Sequence, residues 1–433
     1  MDLKFIFRAL RHRNFRLFFS GQSISLVGTW MQQLAVSWLV YKMTNSAFLL
    51  GLTGFTSQIS TFFLAPIAGV IVDRQNRHRL IFITQISAML QASVLAWLVL
   101  SGQIVFWHIV VLSFVSGVIN AFDIPARQAF TIEMIDDKED LNNAIALNSS
   151  MVNMARLVGP SIAGFLIVLL GEGACFLLNA VSYLAVMASL CAMRITPRKL
   201  PPENLDITGQ LKEGFNYVRN SIPIRMLLLL LAVVSLVSGS YQVLLPVFAG
   251  ELFAGGAKVL GFLMAGTGFG ALTGAIYLAS RKTVVGLVRI SGLMSGLFGC
   301  CVIAFASSKL FIVSLTLAYV AGFAIMVQMA ASNTILQVIV HEDMRGRVMS
   351  FYTMAFMGTA PLGSLLGGTL AGKIGVLHTL FWGGLCCIAG SLIFMRYYQV
   401  LRQAIRPIYI QKGIIPQVAQ GIQSAAVIEN LPR

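Results

Sequence analysis

Charge is scarce in this chain. Only 11% of its 433 residues are Asp, Glu, Lys or Arg, where a soluble domain carries about a quarter. Acids are scarcer still, 16 against 31 Lys and Arg, and none lies near the middle of an apolar run. The six cysteines show no metal-ligand or redox spacing, so they read as small buried hydrophobes. No glycine loop ends in Lys-Ser or Lys-Thr, no acids pair in a shared pocket, and no Ser/His/Asp set stands outside loops. The five histidines are scattered. These absences exclude an enzyme, a nucleotide or other cofactor, and a metal centre. A cleavable leader is also not expected: Met1–Arg16 is basic, but the apolar span behind it is too long and lacks a small-residue cleavage site.

What the chain has instead is apolar length. With 57% hydrophobic residues and a mean hydropathy of +0.82, it reads as an integral membrane protein. Twelve spans of membrane length fall between residues 15 and 396. The net charge of +15 could suggest nucleic acid, but its distribution removes that reading: 26 of the 31 Lys and Arg lie in termini and loops on one side. The opposite loops hold only Lys42, Lys258, Lys309 and Lys373. This is the positive-inside asymmetry, and it places both termini in the cytoplasm with the basic charge facing anionic lipid.

Residues 194–223, with Pro197, Pro201 and Pro202, form the one long polar interruption. They divide the chain into a bundle over 1–193, a cytoplasmic linker, a second bundle over 224–396 and a cytoplasmic tail over 397–433. The expected fold is an all-α membrane protein of twelve transmembrane helices in two pseudo-symmetric six-helix bundles. Pro160 and Gly171 recur as Pro361 and Gly372, and Gly117 as Gly322, a weak repeat of the sort duplicated transporter halves leave. Gly266, Gly270 and Gly274 give span 8 a smooth face, and Gly363, Gly367, Gly368 and Gly372 do so for span 11. These faces suit either a sliding contact between the halves or static packing. The tail after Arg402 alternates apolar and polar residues without a clear period and receives no role.

Between spans 2 and 3 runs Gly69-Val70-Ile71-Val72-Asp73-Arg74-Gln75-Asn76-Arg77-His78-Arg79. Gly69 would let a neighbouring helix approach. Asp73 would end a helix, and Asn76 tolerates a left-handed turn. Span 5 holds Gly159-Pro160-Ser161-Ile162-Ala163-Gly164, where Pro160 loosens the helix among small neighbours. The loop resembles the G-x-x-x-D-R-x-G-R signature of the major facilitator superfamily, with Asn76 in the glycine's place. The Gly159-Pro160 segment resembles the family's exporter motif in helix 5. Arg13-Asn14-Phe15-Arg16-Leu17-Phe18 and Ala65-Pro66-Ile67-Ala68-Gly69 look like the branch containing the enterobactin exporter and macrolide efflux proteins. The resemblance implies that Gly69, Asp73, Arg74, Arg77, Asp123, Arg127, Gly159 and Pro160 serve gating. Within that set, Asp73, Arg77 and Asp123 would form a charge cluster latching the outward-facing state. Charges that only fix topology are the alternative.

On span 4, Ser113, Ser116, Asn120, Asp123 and Arg127 share one helix face, and Arg127 can pair with Asp123 four residues back. Arg156 lies deep inside span 5 with Asn153 on its face. An unpaired arginine at a helix centre costs about 2.5–3.5 kcal/mol on insertion scales, so it should face an aqueous cavity or a partner. A substrate-facing cation is favoured over a structural pairing with polar groups of spans 1 or 4. Gln22 and Gln32 on span 1, with Trp30, and Tyr241 and Gln242 on span 7, complete the expected cavity lining, together with Asn120, Asn153 and Arg156. For each of the neutral residues, a bond between helices is as good a reading.

The expected function is export of an amphiphilic anionic small molecule such as a siderophore across a bacterial inner membrane. The bundles would rock around a midplane cavity, with protons as the coupling ion and Asp123 as the titrating carboxylate. The chain is expected to act as a monomer. A macrolide or multidrug efflux pump is the rival reading, and a lipid-handling or assembly protein on the same fold is the second.

Overall fold

The computed structural model describes residues 7–135, 137–194, 207–281, 283–412 and 414. The helices follow from long apolar stretches bounded by capping residues. The first half comprises α1 (Arg13–Thr44), α2 (Ala47–Arg74), α3 (Arg77–Leu100), α4 (Phe106–Glu133), α5 (Lys138–Leu170) and α6 (Glu172–Ala192). The second comprises α7 (Ile222–Val247), α8 (Gly256–Ala279), α9 (Leu287–Ser307), α10 (Phe311–Ile339), α11 and α12 (Val376–Arg396). Helix α11 runs Glu342–Thr353, then a π-helical turn Met354–Gly358, then Thr359–Ile374. Ser46 caps α2 by accepting from the Leu49 amide, and Asp137 caps α5 by accepting from Glu139.

Eleven of these helices are long and apolar enough to cross a membrane. The twelfth is α1, whose 32 residues are diluted by Gln22, Ser25, Thr29, Gln32 and Gln33. In lipid such groups must be satisfied inside the protein, and α1 accordingly packs along α5 and α6.

The two halves use the same contacts. In the first, α1 packs on α5 and α6, α2 on α4, and α3 on α4 and α6; in the second, α7 packs on α11 and α12, α8 on α10, and α9 on α10 and α12. The Gly117–Gly322 correspondence is structural. A methyl at Gly117 would meet the Ser57 carbonyl of α2 at 2.6 Å, and Gly322 lies just as close to Thr267 on α8. The other correspondence shifts. Gly171 turns the chain between α5 and α6 at φ +81, and its counterpart between α11 and α12 is Gly375 at φ +85, not Gly372. The proline correspondence therefore does not carry through to the turn: Gly171 lies 11 residues beyond Pro160, and Gly375 lies 14 beyond Pro361.

Between the halves, α5 meets α8 and α2 meets α11, again a symmetric pair. Gly261 lies against the Pro160 carbonyl at 2.7 Å, and Gly51 against Gly368 at 2.9 Å, measured from the position of an added methyl. By contrast Gly266, Gly270 and Gly274 face α10, and Gly363 and Gly367 face α7. Most of the glycine faces of spans 8 and 11 therefore serve packing within one half; the contact between halves uses Gly368 together with Gly51, Gly164, Gly261 and Gly268.

Two amphipathic helices lie outside the spans. Residues 195–206 of the expected linker lie outside the described residues, but Ile207–Asn220 is a helix docked on the start of α11. There Arg347 bonds Glu213 at 2.7 Å and Phe351 packs against Phe215. In the tail, Tyr398–Gln411 is also a helix, with Leu401, Ile405 and Tyr409 buried at a spacing of four. The tail thus has a helical period that Pro407 masks in the sequence. Residues 415–433 lie outside the described residues.

Candidate functional site

The deepest charge is Arg156. It lies about 27 Å along α5 from Lys138 and about 21 Å from Leu170, at 1.5 Å per residue. Its guanidinium carbon stands 4.9 Å above the centroid of the Trp30 ring on α1. No carboxylate pairs with it among the described residues, and its Nε is buried without a hydrogen-bond partner. Behind it, Gly268 of α8 approaches the Arg156 carbonyl to 2.9 Å from an added methyl. The residue that carries this deep cation therefore also sits on the seam between the halves. Asn153, one turn earlier, is buried and donates to the Ser149 carbonyl at 2.9 Å.

The other expected cavity residues separate. Gln22 and Asn120 join Asp123, Arg127, Gln85 and Tyr183 around a small cavity inside the first half, with room for about 30 Å³ of solvent. The Oε1 atoms of Gln22 and Gln85 are buried there without partners. Gln32 does not face a central cavity. It donates to Gln91 Oε1 at 3.1 Å and accepts from Asn179 at 2.8 Å, joining α1, α3 and α6. Tyr241 is likewise a correction: it is fully buried, with its ring 5.3 Å from Phe305 and 6.4 Å from Phe298. That face of α7 belongs to the core of the second half. Gln242, the next residue, is exposed and donates to Ser238 Oγ at 3.1 Å. In both corrected cases a polar or amphipathic side chain on an apolar span found its partners within one half.

The charged residues of the gating set divide in the same way. Asp123 is 5% exposed and accepts from Thr84 at 2.8 Å and Gln85 at 2.9 Å, with Arg127 Nε at 2.6 Å from its other oxygen. Arg77 instead reaches Glu133 at 2.8 Å. Asp123 and Glu133 are ten residues apart on α4, about 15 Å along the axis. Among the described residues, Arg77 thus pairs with Glu133 at the end of α4, and Asp123 forms a separate cluster deeper in. The Asp73 side chain lies outside the described residues, and Arg74 is exposed at the end of α2. Gly69 also differs from expectation, since a methyl there would meet open space. The described contacts between the halves lie toward the other end of α2. Asn76 is extended at φ −66 and caps α3 by accepting from Arg79 at 3.1 Å; no left-handed turn is needed. Gly159 packs against α1 and Pro160 against α8.

Several functional candidates went unnoticed in the sequence. Tyr41, at the end of α1, donates to Glu251 Oε1 beyond α7 at 3.3 Å, a hydrogen bond between the halves. A methyl on Gly250 would strike the Tyr41 ring. Trp38 lines the same seam beside Gly256. Together with Phe165 on Phe262, these contacts seal the halves on the side away from the termini. Near the termini, Asp140 at the start of α5 holds Arg8 at 3.0 Å and His12 at 3.1 Å. Gln85, Gln91 and Asn179 could have been found as amides inside otherwise apolar spans.

Residues 6–406 match the family model described as transmembrane secretion effector. The staphyloferrin A transporter of Staphylococcus aureus is 26% identical over 380 residues, covering 88% of this chain and 95% of that protein. Macrolide efflux protein A of Streptococcus pyogenes is 21% identical over 391 residues, covering 88% of this chain and 96% of that protein. Among solved structures, a bacterial homologue of the iron transporter ferroportin in an inward-facing state superposes with a TM-score of 0.68. That likeness spans 89% of this chain and 98% of the other at 17% identity, and it speaks to the fold.

Proposed function

We propose, from the premise that this chain belongs to the transmembrane secretion effector family of the major facilitator superfamily, that its cargo is an amphiphilic anionic small molecule of the siderophore class. The chain is a multi-pass membrane transporter of the efflux type and not an enzyme. One observation carries the anionic reading: Arg156 is a deep intramembrane cation with no carboxylate partner among the described residues. Intramembrane charges are costly and mark substrate or ion pathways. The relative named as a staphyloferrin A transporter supports the same class.

The seams between the halves support alternating access. Rocking of residues 1–193 against 224–396 would slide α5 along α8 and α2 along α11, with Gly268 bearing directly on the Arg156 carbonyl. Substrate release and reorientation of the halves would then act on one residue. The Asp123 cluster is the place for a coupling proton, because its carboxylate borders a cavity large enough for water. The basic loops support termini in the cytoplasm, and the bacterial relatives support an inner-membrane location; we take the working unit to be the monomer.

The rival is a macrolide pump, favoured by the similarity to macrolide efflux protein A. Purified protein in liposomes under an imposed pH gradient decides between them. The reading expects movement of staphyloferrin A that collapses when the gradient is dissipated. Movement of erythromycin without movement of the anion would overturn it.

A further inference from the structure

Arg156 and Trp30 form one recognition unit, and we propose that Trp30 is a positioning residue that makes the site selective for carboxylate-bearing amphiphiles. This inference rests on Arg156 being the substrate cation. The guanidinium is stacked on an indole face at 4.9 Å, and its Nε is buried and unpartnered. Stacking holds the plane of the fork but leaves its donor edge available. A planar carboxylate matches that edge with two parallel hydrogen bonds. An arginine free to rotate would have to lose its side-chain freedom when the anion binds; one already laid on an aromatic shelf has lost it beforehand.

The shelf is built from backbone contacts. Gly159 follows Arg156 by three residues on α5, on nearly the same face. A methyl at Gly159 would lie 2.6 Å from the Trp30 Cβ and 2.8 Å from the Val27 carbonyl. The absent side chain at Gly159 therefore sets how closely α1, and with it the indole, lies against α5. On this account Gly159 contributes to specificity through Trp30, a role separate from helix flexibility at Pro160. Neither residue is placed to accept a proton or to bind an anion by itself.

The test uses the full-length protein in liposomes with two probes of one shape, 2-naphthoate and 2-naphthylmethylammonium. Trp30→Leu should raise the KM for 2-naphthoate by roughly 2- to 30-fold, the range of cation–π contacts from exposed to desolvated, with little change in kcat or in the KM for the ammonium probe. Trp30→Phe keeps a π face and should restore most of the loss. Gly159→Ala should resemble Trp30→Leu in its selectivity. Arg156→Lys keeps the charge without the fork and should lose the preference for the carboxylate. If Trp30→Leu and Trp30→Phe lower kcat alike and leave the ratio of the two KM values unchanged, Trp30 merely packs and the inference falls. If Arg156→Ala itself leaves the KM for 2-naphthoate unchanged, the underlying site assignment has failed instead. A folded fraction matched by size-exclusion elution and thermal midpoint keeps lost protein from being read as lost selectivity.

Discussion

Tyr41 donates to Glu251 across the boundary between the two halves, at 3.3 Å, with Gly250 packed beneath the tyrosine ring. This bond closes the side of the protein away from its termini. Removing it should therefore favour the state open on that side. A hydrogen bond to a charged group contributes about 1.5–3 kcal/mol, less where the partner is exposed, as Glu251 is. Tyr41→Phe should shift the ratio of the two states by roughly 2- to 10-fold. Gly250→Ala, which collides with the ring, should shift it further in the same direction. Spin-label distances across the Tyr41–Glu251 seam would report both shifts; unchanged distributions would deny the bond a sealing role.

The pairing of Arg77 with Glu133 leads to a second prediction. In a double-mutant cycle on thermal stability, Arg77→Ala and Glu133→Gln should couple by about 1 kcal/mol or more, as contacting partners do. Arg77→Ala and Asp123→Asn should add within about 0.5 kcal/mol, as separated sites do. Strong coupling of Arg77 to Asp123 and none to Glu133 would restore the single cluster expected from the loop motif.

Within the Asp123 cluster, the cost of substitution comes from what is left behind. Asp123→Leu removes the partner of Arg127 and the acceptor for Thr84 and Gln85. Breaking such a buried pair by deleting one partner costs about 3–5 kcal/mol, visible as a large fall in the thermal midpoint in detergent. The double change Asp123→Leu with Arg127→Leu should recover a substantial part of that loss. Equal midpoints for the single and double variants would show that the two charges do not act as a pair.

Glycine replacements separate packing from empty space. Gly270→Ala and Gly363→Ala each drive a methyl into a backbone carbonyl, of Tyr319 and Leu236 respectively. Both should lower expression and midpoint sharply. Gly372→Ala meets nothing within 4 Å and should be silent in the same assay. A similar loss at all three positions would mean that these helices pack differently from the contacts described.

The twelve spans, the division into halves and the transporter class were legible in the sequence because each rests on a pattern that repeats over many residues: apolar length, basic loops, a duplicated set of small residues. Candidate site residues stood out only where chemistry is rare. Arg156 stands out because a deep arginine has few acceptable surroundings. Tyr241 and Gln32 misled because a phenol or an amide on an apolar helix fits a cavity wall and an internal bond equally well, and only the neighbours' positions decide. Glu133 was passed over for Asp123 because both lie on α4 and the sequence does not say which faces Arg77. Asn76 was read as a turn residue, although its side chain serves equally as a cap. Glu251 could not be matched to Tyr41 at a separation of 210 residues, since that contact depends on how the two halves meet.

The most direct test of Arg156 as the substrate cation is counterflow in liposomes reconstituted with wild type, Arg156→Lys and Arg156→Ala, measured with staphyloferrin A and with a cationic dye of similar size. The account predicts that Arg156→Ala abolishes flux of the anion while flux of the cation is unchanged or increased, with Arg156→Lys intermediate. Equal loss of both fluxes in a folded Arg156→Ala protein, or undiminished anion flux, would contradict it.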